Sequence, residues 1–110
     1  MDLKQLDQNL SVAGQIAPEE VGAIAAAGFR SIICNRPDGE SDDQPAYAAI
    51  RAAAEAAGLT IAYQPVVSSQ LNDEDARAFG ALLDRLPKPV LAYCRSGARC
   101  TRLFEGSRNG

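Results

Sequence analysis

A chain of 110 residues, 46% hydrophobic and 23% charged, reads as one soluble globular domain over residues 1–110, long enough for a core of its own. Its formal net charge of -3 argues against a nucleic-acid partner bound by broad phosphate neutralisation, so any anion site must be local. It contains no histidine, which excludes every Ser–His, Cys–His and His-ligated metal arrangement; three scattered cysteines and a few acids make no metal-ligand set, and no cofactor is implied.

The N-terminal MDLKQLDQNL lacks the apolar centre of a signal peptide, and no stretch approaches the roughly 18 apolar residues of a membrane span. Cys34, Cys94 and Cys100 form neither an even disulfide framework nor a CxxC pair, which favours a reducing compartment. A cytoplasmic location with no membrane partner is the expectation.

From Leu10 to Gln15 the chain reads as a short strand, and Ala17-Pro18-Glu19-Glu20 starts a helix that ends at Gly28. Phe29 to Asn35 is a continuous β-prone run of the kind buried on both faces of a parallel sheet. Arg36-Pro37-Asp38-Gly39 breaks it, and an acidic loop follows through Asp43. Pro45 to Ala57 is alanine-rich and helical, closed by Gly58; Leu59 to Val67 is a further strand. Asn72 or Asp73 caps a helix to about Leu86, with Leu71, Ala76, Phe79, Leu82, Leu83 and Leu86 as its apolar stripe. Val90 to Tyr93 is the last strand. This alternation predicts an α/β fold, a mainly parallel sheet of four to five strands flanked by helices, with the ligand site beyond the strands' carboxyl ends.

Three loops then share one edge: 36–44, 67–72 and the loop after Tyr93. That last loop reads Cys94-Arg95-Ser96-Gly97-Ala98-Arg99 and runs into Cys100-Thr101-Arg102. A cysteine at a strand's end, a glycine free to take unusual φ and a following helix make a cradle of inward-pointing N–H groups. The same field lowers the pKa of a cysteine at its centre, so a thiolate forms without a histidine base. Arg99 offers a planar fork to an oxyanion or a sulfur-bearing substrate, and Arg95, Ser96, Gly97 and Ala98 complete the anion-binding loop.

Four separated segments resemble one known family: LSVAGQIAPEEV near the start, Ile32 to Glu40 (IICNRPDGE), Gln64 to Val67 (QPVV) and Ala92 to Arg99 (AYCRSGAR). They are similar to the beta-lactamase-hydrolase-like, phosphatase-like domain proteins, also described as small sulfur transferases. The resemblance implies a cysteine-phosphatase type of α/β fold, of the dual-specificity kind, with Cys94 as nucleophile and residues 94–99 as the cradle. It leaves the reaction open between two activities.

Loop length separates them. Tyrosine and dual-specificity phosphatases look like His-Cys-x5-Arg, whereas here Arg99 follows Cys94 after four residues and Tyr93 stands before it, as in the shorter loop of rhodanese-type sulfurtransferases. A phosphatase also needs an acid to protonate its leaving alcohol, and residues 67–71 hold none before Asp73. Thiolates leave without one, which favours persulfide transfer from a sulfane-sulfur donor to a thiol such as glutathione over hydrolysis of a phosphorylated substrate. A non-catalytic redox-sensing module is the third reading.

Arg36 and Asp38 either line the substrate pocket or pair to order the turn. Cys34 belongs to the core. Cys100 either resolves an oxidised or persulfidated Cys94 or fills a helix position usual for Ser or Thr, and Thr101 is a candidate donor to the thiolate. Asp73, Glu74 and Asp75 cap and charge a helix start, and in the phosphatase reading the acid comes from Asp73, Asp75 or Asp38. After Phe104 the two late glycines, Gly106 and Gly110, predict a C-terminal helix of only about eight residues, short or truncated, leaving one sheet face thinly covered. A homodimer or a lost domain could complete the core.

Overall fold

The computed structural model describes residues 2–109. Along them run β1 (Leu3–Asp7), β2 (Leu10–Ala13), α1 (Val21–Ala26), β3 (Ser31–Cys34), α2 (Tyr47–Ala56), β4 (Thr60–Tyr63), α3 (Asp73–Arg85), β5 (Val90–Tyr93) and α4 (Ala98–Asn109). The five strands form one sheet in the order β1-β2-β5-β3-β4. Strands β2, β5, β3 and β4 are parallel, and β1 closes one edge antiparallel to β2.

Because the chain runs out to β4 and returns to insert β5 between β2 and β3, its helices change face. Helices α1 and α2 pack with Ile32, Cys34, Leu91 and Tyr93, whereas Ile33, Val90, Ala92 and Cys94 face Phe79 of α3 and Leu103 and Phe104 of α4. The period-two alternation of β3 and β5 thus supplies two cores, and all four residues of each of these strands are buried. The carboxyl ends of β3 and β5 lie side by side at the turning point of the strand order, where open α/β sheets bind ligands.

The elements follow the sequence pattern with informative departures. No strand was expected before Leu10, yet Leu3–Asp7 pairs with β2 through a register shift; three of its residues are exposed, so no apolar run announces it. Strand β2 ends at Ala13 instead of Gln15 because the active loop crosses Gly14 closely. A Cβ there would lie 3.0 Å from the Arg95 carbonyl oxygen, and Gln15 N–H donates to that oxygen. Strand β4 ends at Tyr63 instead of Val67, since Pro65 has no N–H to give, although Gln64 and Val66 still donate to the carbonyls of Cys34 and Asn35. The Pro18–Glu20 turn is a 3-10 turn closed by Glu20 Oε1, which accepts from Ala17 N–H at 2.8 Å. Asn72 caps α3: its Oδ1 accepts from Asp75 N–H at 2.9 Å while Asp75 Oδ2 accepts from Asn72 N–H.

Helix α4 overturns one expectation: it has twelve residues, not about eight. Gly106 does not weaken it but seats it against α3, for a Cβ there would lie 2.8 Å from Ala76 Cβ, and Gly80 meets Ser107 in the same way from the other side. Gly110 lies outside the described residues. With Cys100 and Leu103 fully buried beneath α4, the face read as thinly covered is filled, which removes the reason for expecting a second subunit to complete it.

Gly106→Ala is therefore expected to destabilise the fold even though alanine favours a helix by about 1 kcal/mol, whereas Gly22→Ala, with nothing within 4 Å, is expected to stabilise it by about 0.5–1 kcal/mol. Urea denaturation midpoints moving in opposite directions check the pair; two shifts of the same sign would contradict this packing.

Candidate active site

The site is assembled by backbone geometry before any charge is considered. Strand β5 delivers Cys94 to the sheet edge, where its N–H still donates to Ala13 O. The chain then reverses through Gly97, whose φ of +91° is a region that only glycine takes without strain, and enters α4 at Ala98. This turn brings Gly97 N–H to 3.0 Å from Cys94 Sγ. The loop thus curls over the sulfur, with Arg95, Ser96 and Ala98 exposed on its rim and Cys94 buried at its floor.

The electrostatics of Cys94 follow. The Cys100 thiol beside it and the N–H groups of Cys100, Ser96 and Gly97 favour the charged sulfur against the cost of burial, and they bring Cys94 down to about 5. Burial dominates at Cys34 and raises its thiol; that side chain lies on the opposite sheet face and donates to Arg36 O. Cys100 is fully buried, and burial, then the neighbouring Cys94 sulfur, keep it protonated.

Arg99 is placed differently from the expectation. Its fork is not open to a substrate: Nη1 donates to Val66 O at 2.8 Å, Asn35 O at 3.4 Å and Glu40 Oε2 at 3.1 Å, and Nη2 to Glu40 Oε1 at 3.1 Å. The residue is 8% exposed, and Nε is buried and is the guanidinium nitrogen with no partner among the described residues. Removing Arg99 is thus a structural change as well as a chemical one. It would take a donor from the Val66 and Asn35 carbonyls and one of its two arginine partners from Glu40.

Glu40 is the residue that the sequence reading missed. Burial would raise its pKa, but Arg99 and Arg36 outweigh that and hold the carboxyl below the usual carboxylate range. Arg36, also buried, gives Nε to Glu40, Nη1 to Gln15 Oε1 and Nη2 to Ser41 Oγ. Of the two readings for Arg36 and Asp38, the ion pair is not among those of the described residues, while Arg36 lines a cavity beside the loop. Asp38 Oδ1 accepts from Tyr47 N–H at 2.8 Å and so starts α2, while its own N–H donates to the Tyr63 hydroxyl. Thr101 does not reach the thiolate either; its hydroxyl donates to Gly97 O at 2.9 Å. Asp73 stands exposed in the first turn of α3, beside Glu74 and the capping Asp75.

Two cavities flank the loop. One, about 270 Å³, is lined by Gln15, Arg36, Ser41, Asp43, Gln44, Pro45 and Arg95, and gives the rim a polar, two-arginine mouth. The other, about 540 Å³, lies on the β1 side among Leu3, Val12, Ala13, Ser96, Ala98 and Thr101 and is mainly apolar. No described helix is long and apolar enough to cross a membrane.

A buried low-pKa cysteine cradled between a parallel strand and a helix defines a cysteine-phosphatase-like α/β domain. The chain belongs to the family described as beta-lactamase hydrolase-like protein, phosphatase-like domain, whose profile matches residues 2–110. A beta-lactamase hydrolase-like protein of Xylella fastidiosa is 36% identical over 104 residues, covering 94% of this chain but 24% of the relative. The chain thus spans about a quarter of the length of the curated relatives it matches. Among solved structures, a Neisseria meningitidis protein classed provisionally as a phosphatase shares 39% identity at a TM-score of 0.89, over 94% of this chain and 74% of that one. A Shewanella putrefaciens protein of the same provisional class shares 25% identity at 0.81, over 96% and 66%. The core catalytic domain of a Saccharomyces cerevisiae PP-IP phosphatase, at 11% identity and 0.68, and Pseudomonas aeruginosa TpbA bound to phosphotyrosine, at 14% and 0.66, share the fold alone.

Cys94 also ties stability to pH. Above about 5 the folded thiol has lost its proton, while the unfolded one keeps it up to roughly 8.5. The unfolded state therefore binds more protons in that window, and stability rises with pH across it and is lost as pH falls through about 5. Urea midpoints between pH 5 and 8 are expected to climb in the wild type and stay flatter in Cys94→Ser; parallel curves would contradict the depressed thiol.

Proposed function

We propose that this domain is a sulfurtransferase in which the Cys94 thiolate accepts sulfane sulfur and passes it to a thiol such as glutathione. In the first step Cys94 Sγ attacks the outer sulfur of a persulfide or thiosulfate donor; a new S–S bond forms, the donor's S–S bond breaks, and the donor leaves as a thiolate or sulfite. In the second, the acceptor thiolate attacks the outer sulfur of the Cys94 persulfide, and Cys94 is released as a thiolate. Neither step needs a proton delivered to the leaving group.

The observation that carries this reading is where the acids stand. Glu40 is tied to Arg99 and Arg36, Asp38 starts α2, and Asp73 and Asp75 sit in the first turn of α3, so none of these four carboxylates is set aside for proton delivery to a leaving group at Cys94. A six-residue ring from Cys94 to Arg99, with both Nη atoms of Arg99 already engaged, also suits one terminal sulfur atom better than the three oxygens of a phosphoryl group. Arg36 and Arg95 at the polar mouth are the residues for the charged part of the donor.

Phosphate-ester hydrolysis through a Cys94 thiophosphate is the second reading. Membership of a phosphatase-like family and the fold shared with a protein that binds phosphotyrosine favour it. In that reading Arg99 Nε and the loop N–H groups hold the phosphoryl oxygens, and Asp73 is the candidate acid.

The test is incubation with thiosulfate or glutathione persulfide followed by intact-mass measurement. An adduct of about 32 Da that is absent in Cys94→Ser and discharged by glutathione is expected. Absence of any adduct, together with alkyl-phosphoester turnover abolished by Cys94→Ser and by Asp73→Asn, would replace the first reading by the second.

A further inference from the structure

The cavity of about 540 Å³ on the β1 side shares a wall with the reactive loop, yet neither transfer reaction has a use for it. Ser96, Gly97 and Ala98 form one side, and Gly97 is the residue whose N–H stands 3.0 Å from Cys94 Sγ. The other side is made by β1 and β2, with Leu3 and Val12 as its apolar residues. The hydroxyls of the wall are already engaged: Thr101 Oγ donates to Gly97 O, and Ser96 Oγ accepts from Ala98 N–H at 3.4 Å. A cavity of this size and lining takes an apolar body better than a polar one.

Two cations stand at this cavity. The β1–β2 register sets Lys4 against Val12, which packs on the α4 side of the sheet, and α4 brings Arg102 to the same place. Both residues are exposed, neither is in an ion pair among the described residues, and Arg102 gives only Nη1 to Ser68 O at 3.5 Å. Asp2, the one acid of the lining, is shared with the adjoining cavity of Gln15, Glu20 and Arg95 and marks the end toward the polar mouth. The start of the twelve-residue helix α4 adds positive potential on the side of the cations.

We propose that this cavity is the subsite for the body of the acceptor thiol, and that the acceptor is an amphipathic anion: a thiol on an apolar chain whose far end carries a carboxylate. The chain lies against Leu3, Val12 and Ala98, the carboxylate meets Lys4 and Arg102, and the thiol stands at the loop rim. There its thiolate attacks the outer sulfur of the Cys94 persulfide; a new S–S bond forms, the persulfide S–S bond breaks, and Cys94 leaves as a thiolate. That step rests on the sulfur-transfer reading, whereas the binding of the chain does not. Each methylene buried in the cavity adds affinity until it is filled, and the two cations select an anion over a cation.

The experiment titrates the full chain calorimetrically with hexanoate, octanoate and decanoate, and with octylammonium as the cationic control. Expected are a dissociation constant that falls roughly two- to fourfold with each added methylene and no saturable binding of octylammonium. Octanoate binding is expected to weaken about fivefold in Leu3→Asp and in the double variant Lys4→Glu with Arg102→Glu. Decanoate is expected to slow iodoacetamide labelling of Cys94 with the concentration dependence of its binding, and mercaptooctanoate to discharge a Cys94 persulfide about fivefold faster than mercaptopropionate. Absence of saturable alkanoate binding, equal binding of octylammonium, labelling unaffected at saturation, discharge no faster with the longer thiol, or constants unchanged in the folded variants would overturn the proposal. Should a variant fail to fold, the chain-length series and the octylammonium control decide alone. A Cys94 that takes sulfur from no donor while alkanoates still bind and protect it defeats the sulfur-transfer reading and supports the cavity's ligand class.

Discussion

One guanidinium holds the catalytic edge together. Arg99 reaches the carbonyls at the ends of β3 and β4, through Asn35 and Val66, and the carboxylate of Glu40 in the loop after β3. Glu40 is shared with Arg36, and Arg36 extends the connection to Gln15 just past β2. The loops that follow the four parallel strands are therefore tied, directly or through Glu40 and Arg36, to the residue that closes the cysteine loop. A guanidinium this deeply buried is tolerable because both of its Nη atoms are matched, and removing Glu40 would leave two buried arginines without their carboxylate. The position of Cys94 depends on that node.

The node explains how an acidic chain builds an anion site. Net charge describes the far field, but a thiolate responds to the first few ångströms. There the sulfur meets N–H groups from the loop and α4 and the thiol of Cys100, while Glu40 is neutralised by two arginines. No imidazole is needed, because the proton of Cys94 is lost to the field and not to a base. The same arrangement limits the chemistry. An arginine with both Nη atoms engaged in holding loops together stabilises less transferred charge than an open fork would, which fits a substrate that brings its own good leaving group.

The α/β alternation, the parallel sheet and the cradle were legible because they rest on local signals: apolar runs in β3 and β5, the stripe of α3, and Cys94, Gly97 and Arg99 in order after a strand. What escaped has in each case a tertiary cause. Strand β1 is a largely exposed edge whose partner, not its composition, makes it a strand. Glu40 stands among Asp38, Asp42 and Asp43, and nothing in spacing tells the acid that folds inward from those that face solvent. Asp38 and Thr101 are of the right type for a site, but each finds a backbone partner first. Gly106 reads as a helix breaker until the helix it must touch is in place.

The most direct test of the account is a pH titration of the Cys94 thiolate by its ultraviolet absorbance, with Cys34→Ser as background so that the one other thiol is Cys100, which burial keeps protonated in the folded state. The account predicts an inflection near 5 in the folded protein, returning to roughly 8.5 when the chain is unfolded in denaturant. An inflection near 8.5 in the folded state would mean that the loop does not hold the sulfur as a thiolate, and the catalytic reading would fall with it.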